Sequence, residues 1–371
     1  MRPTRALIST EAFLHNLRFV RDRIGPKPLI MAVIKANAYG HGLDIIAKAS
    51  IESGEVGYFG VATEEEAVGL RTITTLPIQV LTTALDNEIE TFIANDLDFT
   101  LCEYHQLEAI AQTAERLGKK ARVHLKVDTG MRRIGVEPRD ALQFARTIVS
   151  YGNSIECVGI ATHFATSDEI GSSFFHKQLD SFTEVVRTIR AEGISIKYAH
   201  AANSGAILQE PVLSGFDMVR PGIMLYGYAP SMELQEKHRT DLAPVLSFTS
   251  SVGFTKRIAK GEGVSYNLRW HADRETTIAT VAAGYGDGYS RLLTGNAEAI
   301  INARKYPIRG TICMDQLMIE AGDESVTIGD EVTLLSSSDP KLDAWEIASR
   351  IGTIPYEVLT NITARVPRVV K

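Results

Sequence analysis

Cysteine is scarce in this chain of 371 residues: Cys102, Cys157 and Cys313 are the only three. They are odd in number, far apart and outside metal-ligand spacing, so they exclude a disulfide framework, suggest no metal site and read as reduced thiols. No basic block interrupts a composition whose formal net charge is -6, which argues against nucleic acid as a partner. No apolar stretch approaches the length of a membrane span, and the first ten residues, Met1 to Thr10, lack the apolar core of a secretory signal. The expectation is a cytoplasmic protein without a membrane partner. A P-loop is missing, as is a Gly-x-Gly-x-x-Gly turn after the first predicted strand, so nucleoside triphosphates and a dinucleotide fold are disfavoured.

What the sequence does contain is a regular alternation of short apolar runs and longer amphipathic stretches from about residue 28 to 225. The runs fall at 30–35, 58–62, 78–81, 98–101, 123–127, 158–162, 198–200 and 218–220. Eight strand-helix units in about 200 residues match a closed (β/α)8 TIM barrel better than an open doubly wound sheet. Helices are expected at 103–117 and 174–191, and Thr63-Glu64-Glu65-Glu66 opens another with a capping-box pattern. Beyond about residue 240, runs at 246–254, 277–282, 308–312 and 331–335 are separated by glycine-rich turns, and only 342–351 reads as a helix. The fold class is therefore α/β: a barrel domain over 1–238, then a mainly β carboxyl-terminal domain over 239–371. The polar segment 229–241 is the linker.

A parallel barrel places its chemistry at the carboxyl ends of the strands. Lys35 ends the first run among apolar neighbours, where burial disfavours the ammonium and leaves a nucleophilic amine. Lys126 ends the fifth, His163 follows the sixth, Asn203 and Ser204 follow the seventh, and Arg220 ends the eighth. Singly, each has a plainer reading: Lys35 as a solvated strand-end lysine, His163 as a packed core histidine, Arg220 as an ion-pair partner. Together at one face they are poorly explained by chance. Asn203-Ser204-Gly205 and Pro221-Gly222-Ile223 add glycine-containing turns after strands seven and eight, where barrels often hold phosphate. A buried lysine, a phosphate cradle and no metal site point to pyridoxal phosphate as cofactor.

Four blocks carry a family resemblance: Ala32-Val33-Ile34-Lys35-Ala36-Asn37-Ala38-Tyr39-Gly40-His41-Gly42, Lys126-Val127-Asp128-Thr129-Gly130-Met131-Arg132-Arg133-Ile134-Gly135, Val219-Arg220-Pro221-Gly222-Ile223, and Cys313-Met314-Asp315-Gln316. Over essentially its whole length the chain resembles the bacterial alanine racemases, pyridoxal-phosphate enzymes of fold type III. The resemblance implies that Lys35 bonds the cofactor and is the base for D-alanine. It implies that Tyr266, from the partner chain of a homodimer, is the opposed base for L-alanine, although spacing alone does not choose between Tyr266, Tyr285 and Tyr289. Tyr39, Ser204, Gly222, Ile223 and Tyr356 would hold the phosphate. His163 and Arg220 would belong to the network around the tyrosine, with Arg220 at the pyridine nitrogen. Arg133 and the Met314 backbone of the partner chain would meet the substrate carboxylate, and Lys126 matches a position carbamylated in part of the family.

A cation at the ring nitrogen weakens delocalisation into the ring, which favours racemisation over transamination or decarboxylation. The implied activity is interconversion of L-alanine and D-alanine, supplying D-alanine for peptidoglycan. A racemase of broader range or for serine, or a non-catalytic pyridoxal-phosphate carrier, are the alternatives. Two positions depart from the family pattern: Asn267 where glycine is usual, and Thr311 where arginine is common.

Overall fold

The eight apolar runs become eight parallel strands in a computed structural model that describes residues 3–210 and 216–371. After an amino-terminal strand β1 (Arg5–Ile8), they are β2 (Leu29–Val33), β3 (Val56–Val61), β4 (Ile78–Thr83), β5 (Asp98–Leu101), β6 (Ala121–Lys126), β7 (Ile155–Ala161), β8 (Tyr198–His200) and β9 (Met218–Val219). Each pairs in parallel with its neighbour from β2 to β8, and β9 pairs with β2. Between β8 and β9 the ring closes through backbone bonds from Asp217 N to Ala199 O (2.9 Å) and from Arg220 N to Ala202 O (2.7 Å). The Asp217 carboxylate accepts from Ala199 N at 2.7 Å and ties the same seam.

Strands enclosed by helices outside and by each other inside are buried on both faces, which is why they read as continuous apolar runs rather than alternating ones. Met31, Tyr58, Val158, Tyr198 and Met218, from five different strands, form one interior cluster. The helices Leu107–Leu117 and Ser173–Ala191 stand close to their expected places. At Glu64–Arg71 only half of the capping box forms: Thr63 Oγ1 accepts from Glu66 N, but the Glu66 carboxylate accepts from Ala62 N (3.0 Å) and Asn37 N (3.1 Å) instead of its own cap. The segment read as a linker contains a helix, Met232–His238, started by the Ser231 hydroxyl accepting from Leu234 N.

The chain divides into two compact units that interleave in sequence, one of 14–38 and 46–242 and the other of 1–13, 39–45 and 243–371. In the second unit the long strand β10 (Leu246–Ile258) precedes a short hairpin of β11 (Gly263–Val264) and β12 (Trp270–His271). It is followed by β13 (Thr276–Val281), β14 (Glu298–Ile301), β15 (Arg304–Arg309), β16 (Leu317–Gly322), β17 (Glu331–Leu335) and β18 (Arg368–Val370). The antiparallel order β13-β16-β15-β14-β17-β10 returns to β13 through a β10–β13 pairing, a closed ring without free edges. β1 pairs antiparallel with β10 and parallel with β18 outside that ring. Helix Ala344–Ile351 forms as read, and a second, Pro355–Thr360, was not read from the sequence. Pro355 at its first turn, where a missing N–H costs nothing, is the start signal that would have found it.

Candidate active site

β2 ends at Val33, held there by the Tyr226 hydroxyl donating to Val33 O at 3.0 Å, so Lys35 lies two residues past the strand rather than closing it. It opens a turn of the wrong hand: φ is 52° at Ala36, 53° at Asn37 and Ala38, and 52° at Tyr39, before Gly40 at 85°. Left-handed helical backbone costs L-residues about 1–2 kcal/mol each, and four in succession persist only where the surroundings hold them. The Glu66 carboxylate on Asn37 N supplies one hold. Gly40 cannot be another residue, since a Cβ there would lie 2.2 Å from Leu359 O.

Lys35 is half-buried, and burial first, then the Arg133 and Arg220 charges, lowers its pKa against the opposing pull of Glu66. Lys126, the last residue of β6 and 8% exposed, is pushed down to about 7 by burial and by Arg220 and Arg133, with Asp128 opposing. Arg133 sits on an exposed loop built by the Asp128 carboxylate, which accepts from Gly130 N (2.8 Å) and Arg132 N (3.1 Å). Burial and four cations, Arg220, Arg133, Lys126 and Lys35, keep His163 neutral by holding its pKa well below 6.5.

Arg220 is buried one residue beyond β9, and burial together with Arg133 brings its pKa down to about 10. Its Nη1 donates to His200 O and to His200 Nδ1, both at 2.7 Å. Its Nη2 donates to Thr162 O (2.7 Å), Ala201 O (3.1 Å) and His163 Nδ1 (3.3 Å). A guanidinium cannot accept, so both histidines must present a bare Nδ1 to it. Ser204 Oγ accepts from Gly222 N (3.0 Å) and Met224 N (3.4 Å), bringing the turns after β8 and β9 together and leaving the hydroxyl its own proton to donate.

In the second unit, Tyr39 and Tyr356 face each other with ring centroids 6.0 Å apart. Tyr289 is buried, and burial raises its phenol, whereas Tyr266 is 68% exposed on a strained loop with φ of 66° at Ser265 and 63° at Asn267. Asparagine tolerates that region better than most side chains, which explains how it stands in for glycine at 267.

Residues not singled out from the sequence lie behind Arg220. His200 Nε2 meets His124 Nδ1 at 2.8 Å, and His124 Nε2 lies 3.1 Å from the Tyr58 hydroxyl and 3.5 Å from Asp98 Oδ2. The Tyr58 hydroxyl also donates to Asp98, whose carboxylate accepts from Arg122 at 2.6 Å. Their signal was present: aspartate and histidine inside strands otherwise apolar on both faces need a partner or a purpose.

These features fit a class, a barrel enzyme that gathers lysine, arginine and neutral histidine at the carboxyl ends of its strands, a charge arrangement suited to an anionic ligand. The family model for the alanine racemase N-terminal domain matches residues 8–230, and that for the alanine racemase C-terminal domain matches 245–370. The chain belongs to the alanine racemase family, a family of isomerases. It is 37% identical to alanine racemase 2 of Caldanaerobacter subterraneus over 100% of this chain and 95% of that one. With alanine racemase of Treponema denticola it shares 40% over 100% and 98%. Among solved structures, alanine racemase of Bacillus anthracis with bound L-Ala-P superposes with a TM-score of 0.92 at 34% identity, covering 100% of this chain and 95% of that one.

Proposed function

We propose that the protein interconverts L-alanine and D-alanine with pyridoxal 5'-phosphate, acting as a cytoplasmic homodimer that supplies D-alanine for cell-wall peptide. The observation that carries this reading is the gathering of Lys35, Lys126, Arg133 and Arg220 about His163, which burial first and then their charges keep neutral. The donor set fits the cofactor: cations for a phosphate and a carboxylate, an amine with lowered proton affinity for a carbonyl, and an arginine for the ring nitrogen. When bound, the cofactor supplies an electron sink that acidifies the α-proton of the amino acid.

Lys35, losing its proton more readily than a solvated lysine, takes or returns that proton on one face. Tyr266 of a second copy serves the other face, and its exposure, with that of Leu268 and Met314, suits a surface that meets another chain. His163, its Nδ1 taken by Arg220, carries its hydrogen on Nε2 and can donate it to a phenolate oxygen. Ser204, Gly222 and Ile223, with Tyr39 and Tyr356, hold the phosphate. Arg133 and the Met314 backbone of a second copy orient the substrate carboxylate, and a carbamate on Lys126 would brace Arg133 with a negative charge. Three free cysteines agree with a reducing compartment.

The deciding experiment is α-proton exchange with deuterated solvent across a panel of L-amino acids. Alanine should exchange fastest, and a preference for serine or lysine overturns the substrate assignment.

A further inference from the structure

Five buried or half-buried side chains run through the barrel from its carboxyl end to its amino end. Arg220 stands beyond β9, His200 ends β8, His124 lies within β6, Asp98 begins β5 and Arg122 is the second residue of β6. Tyr58, on β3, joins His124 to Asp98. The two ends dictate every proton between them. Arg220 only donates, so His200 Nδ1 accepts and its hydrogen sits on Nε2. That hydrogen points at His124 Nδ1, so the hydrogen of His124 also sits on Nε2 and points at the Tyr58 oxygen. The Tyr58 hydroxyl then donates to Asp98, an acceptor also fed by Arg122 Nε and Nη2. No other order satisfies each contact.

The strand between the two histidines is shaped for the contact. At Gly159 on β7 a Cβ would lie 2.2 Å from His124 Nδ1, so glycine opens the gap through which His124 reaches His200. Burial first, then the charges of Arg220, His124 and Lys126, oppose protonation of His200, and Arg122 and Arg71 lie near Asp98. Burial raises the Asp98 pKa, but the hydrogen bonds from His124 and Arg122 outweigh it and keep the carboxylate ionised.

We propose that Asp98 is a positioning residue for Arg220: acting through Tyr58, His124 and His200, it imposes one proton order that keeps His200 Nδ1 an acceptor and fixes the plane of the guanidinium. Reversing the order would set an N–H of His200 against an N–H of Arg220. The inference deepens the functional reading, since it concerns the same site, and it rests on that reading only for the role of Arg220.

The test is nitrogen-15 spectroscopy of histidine-labelled full-length protein, with and without cofactor. Between about pH 6 and about pH 8, where free imidazole titrates, His200 should remain neutral, and His124 and His200 should both carry hydrogen on Nε2 and none on Nδ1. A cation or an Nδ1–H form at either site in the native protein overturns the proposal. Asp98→Asn should scramble the His124 tautomer and lower kcat about tenfold or more with KM for alanine little changed, the order seen when a group orienting a contacting residue is lost. Tyr58→Phe should keep both tautomers, because His124 Nε2 already lies 3.5 Å from Asp98. Unchanged tautomers and kcat in Asp98→Asn also overturn it. Should the Asn variant not fold, the native spectra still decide. Native tautomers as stated in a protein that does not racemise alanine would overturn the functional reading and leave the proton order standing.

Discussion

The Thr311 hydroxyl donates to the carbonyl of Tyr266 at 2.9 Å, while Thr311's own carbonyl accepts from Ser265 at 2.6 Å. A residue that departs from the family pattern thus clamps the loop of the proposed second base from beneath. Thr311→Val removes the hydroxyl half of the clamp, leaving the Ser265 bond to the backbone carbonyl, at a cost of about 1 kcal/mol. Alanine racemisation should fall several-fold while the absorbance of the bound cofactor stays unchanged. Equal steady-state rates in the two proteins would show that the loop is held without it.

Tyr266→Phe separates the two faces of the substrate. With Lys35 intact, the variant should still exchange the α-proton of D-alanine with solvent and lose most exchange on L-alanine. Nuclear magnetic resonance of each enantiomer in deuterated buffer reads both rates, and equal loss with the two would refute the pairing of base and face.

Stability should weaken in mild acid. His163 and His200 are held neutral well below 6.5, by burial first and then by neighbouring cations. In the unfolded chain they bind protons near pH 6.5, so below that value the unfolded state takes up more protons and ΔG of unfolding declines. Each contributes a slope of up to about 1.4 kcal/mol per pH unit until its folded pKa is reached. Denaturant titrations at pH 7.5 and 5.5 should show the loss, and His163→Asn should reduce the slope.

Lys126, with its pKa near 7, presents a neutral amine in weakly alkaline buffer. In labelled bicarbonate a carbamate carbon resonance should appear, vanish on acidification and be missing from Lys126→Met. Its absence from the native protein would leave Lys126 an unmodified lysine.

Ala36→Gly should stabilise the fold. It relieves a left-handed penalty of about 1–2 kcal/mol and adds about 0.4–1 kcal/mol of unfolded-chain entropy, for a net gain of up to about 1.6 kcal/mol. Chemical denaturation measures it, and destabilisation would mean that the Ala36 methyl makes contacts worth more than the strain.

The barrel was legible because each strand is buried on two faces and leaves an unbroken apolar run, and because glycine, proline and polar residues mark the ends. Lys35, Lys126, His163, Ser204 and Arg220 were legible as a group for the same reason: a barrel gathers its strand ends. What escaped depends on contacts distant in sequence. Nothing local shows that Ala36, Asn37 and Ala38 turn left-handed, since their hold comes in part from Glu66, and the need for glycine at Gly40 comes from Leu359. The chain of His124, His200 and Asp98 becomes visible only when β5 to β8 are side by side and Gly159 clears the gap. Tyr356 was placed by resemblance, yet its helix was missed because six residues are too few for a periodic pattern.

β1 pairs with β18, and Lys371 N donates to Ile8 O at 2.9 Å. β1 therefore acquires its two neighbours, β10 and β18, only after all the barrel strands that lie between them in sequence have been made. Until then it must wait, through the emergence of an entire barrel, as an unpaired edge able to bind the wrong strand. The β1–β18 pairing offers a remedy by design: a rearranged chain in which β18 directly precedes β1 would turn the longest wait into the shortest.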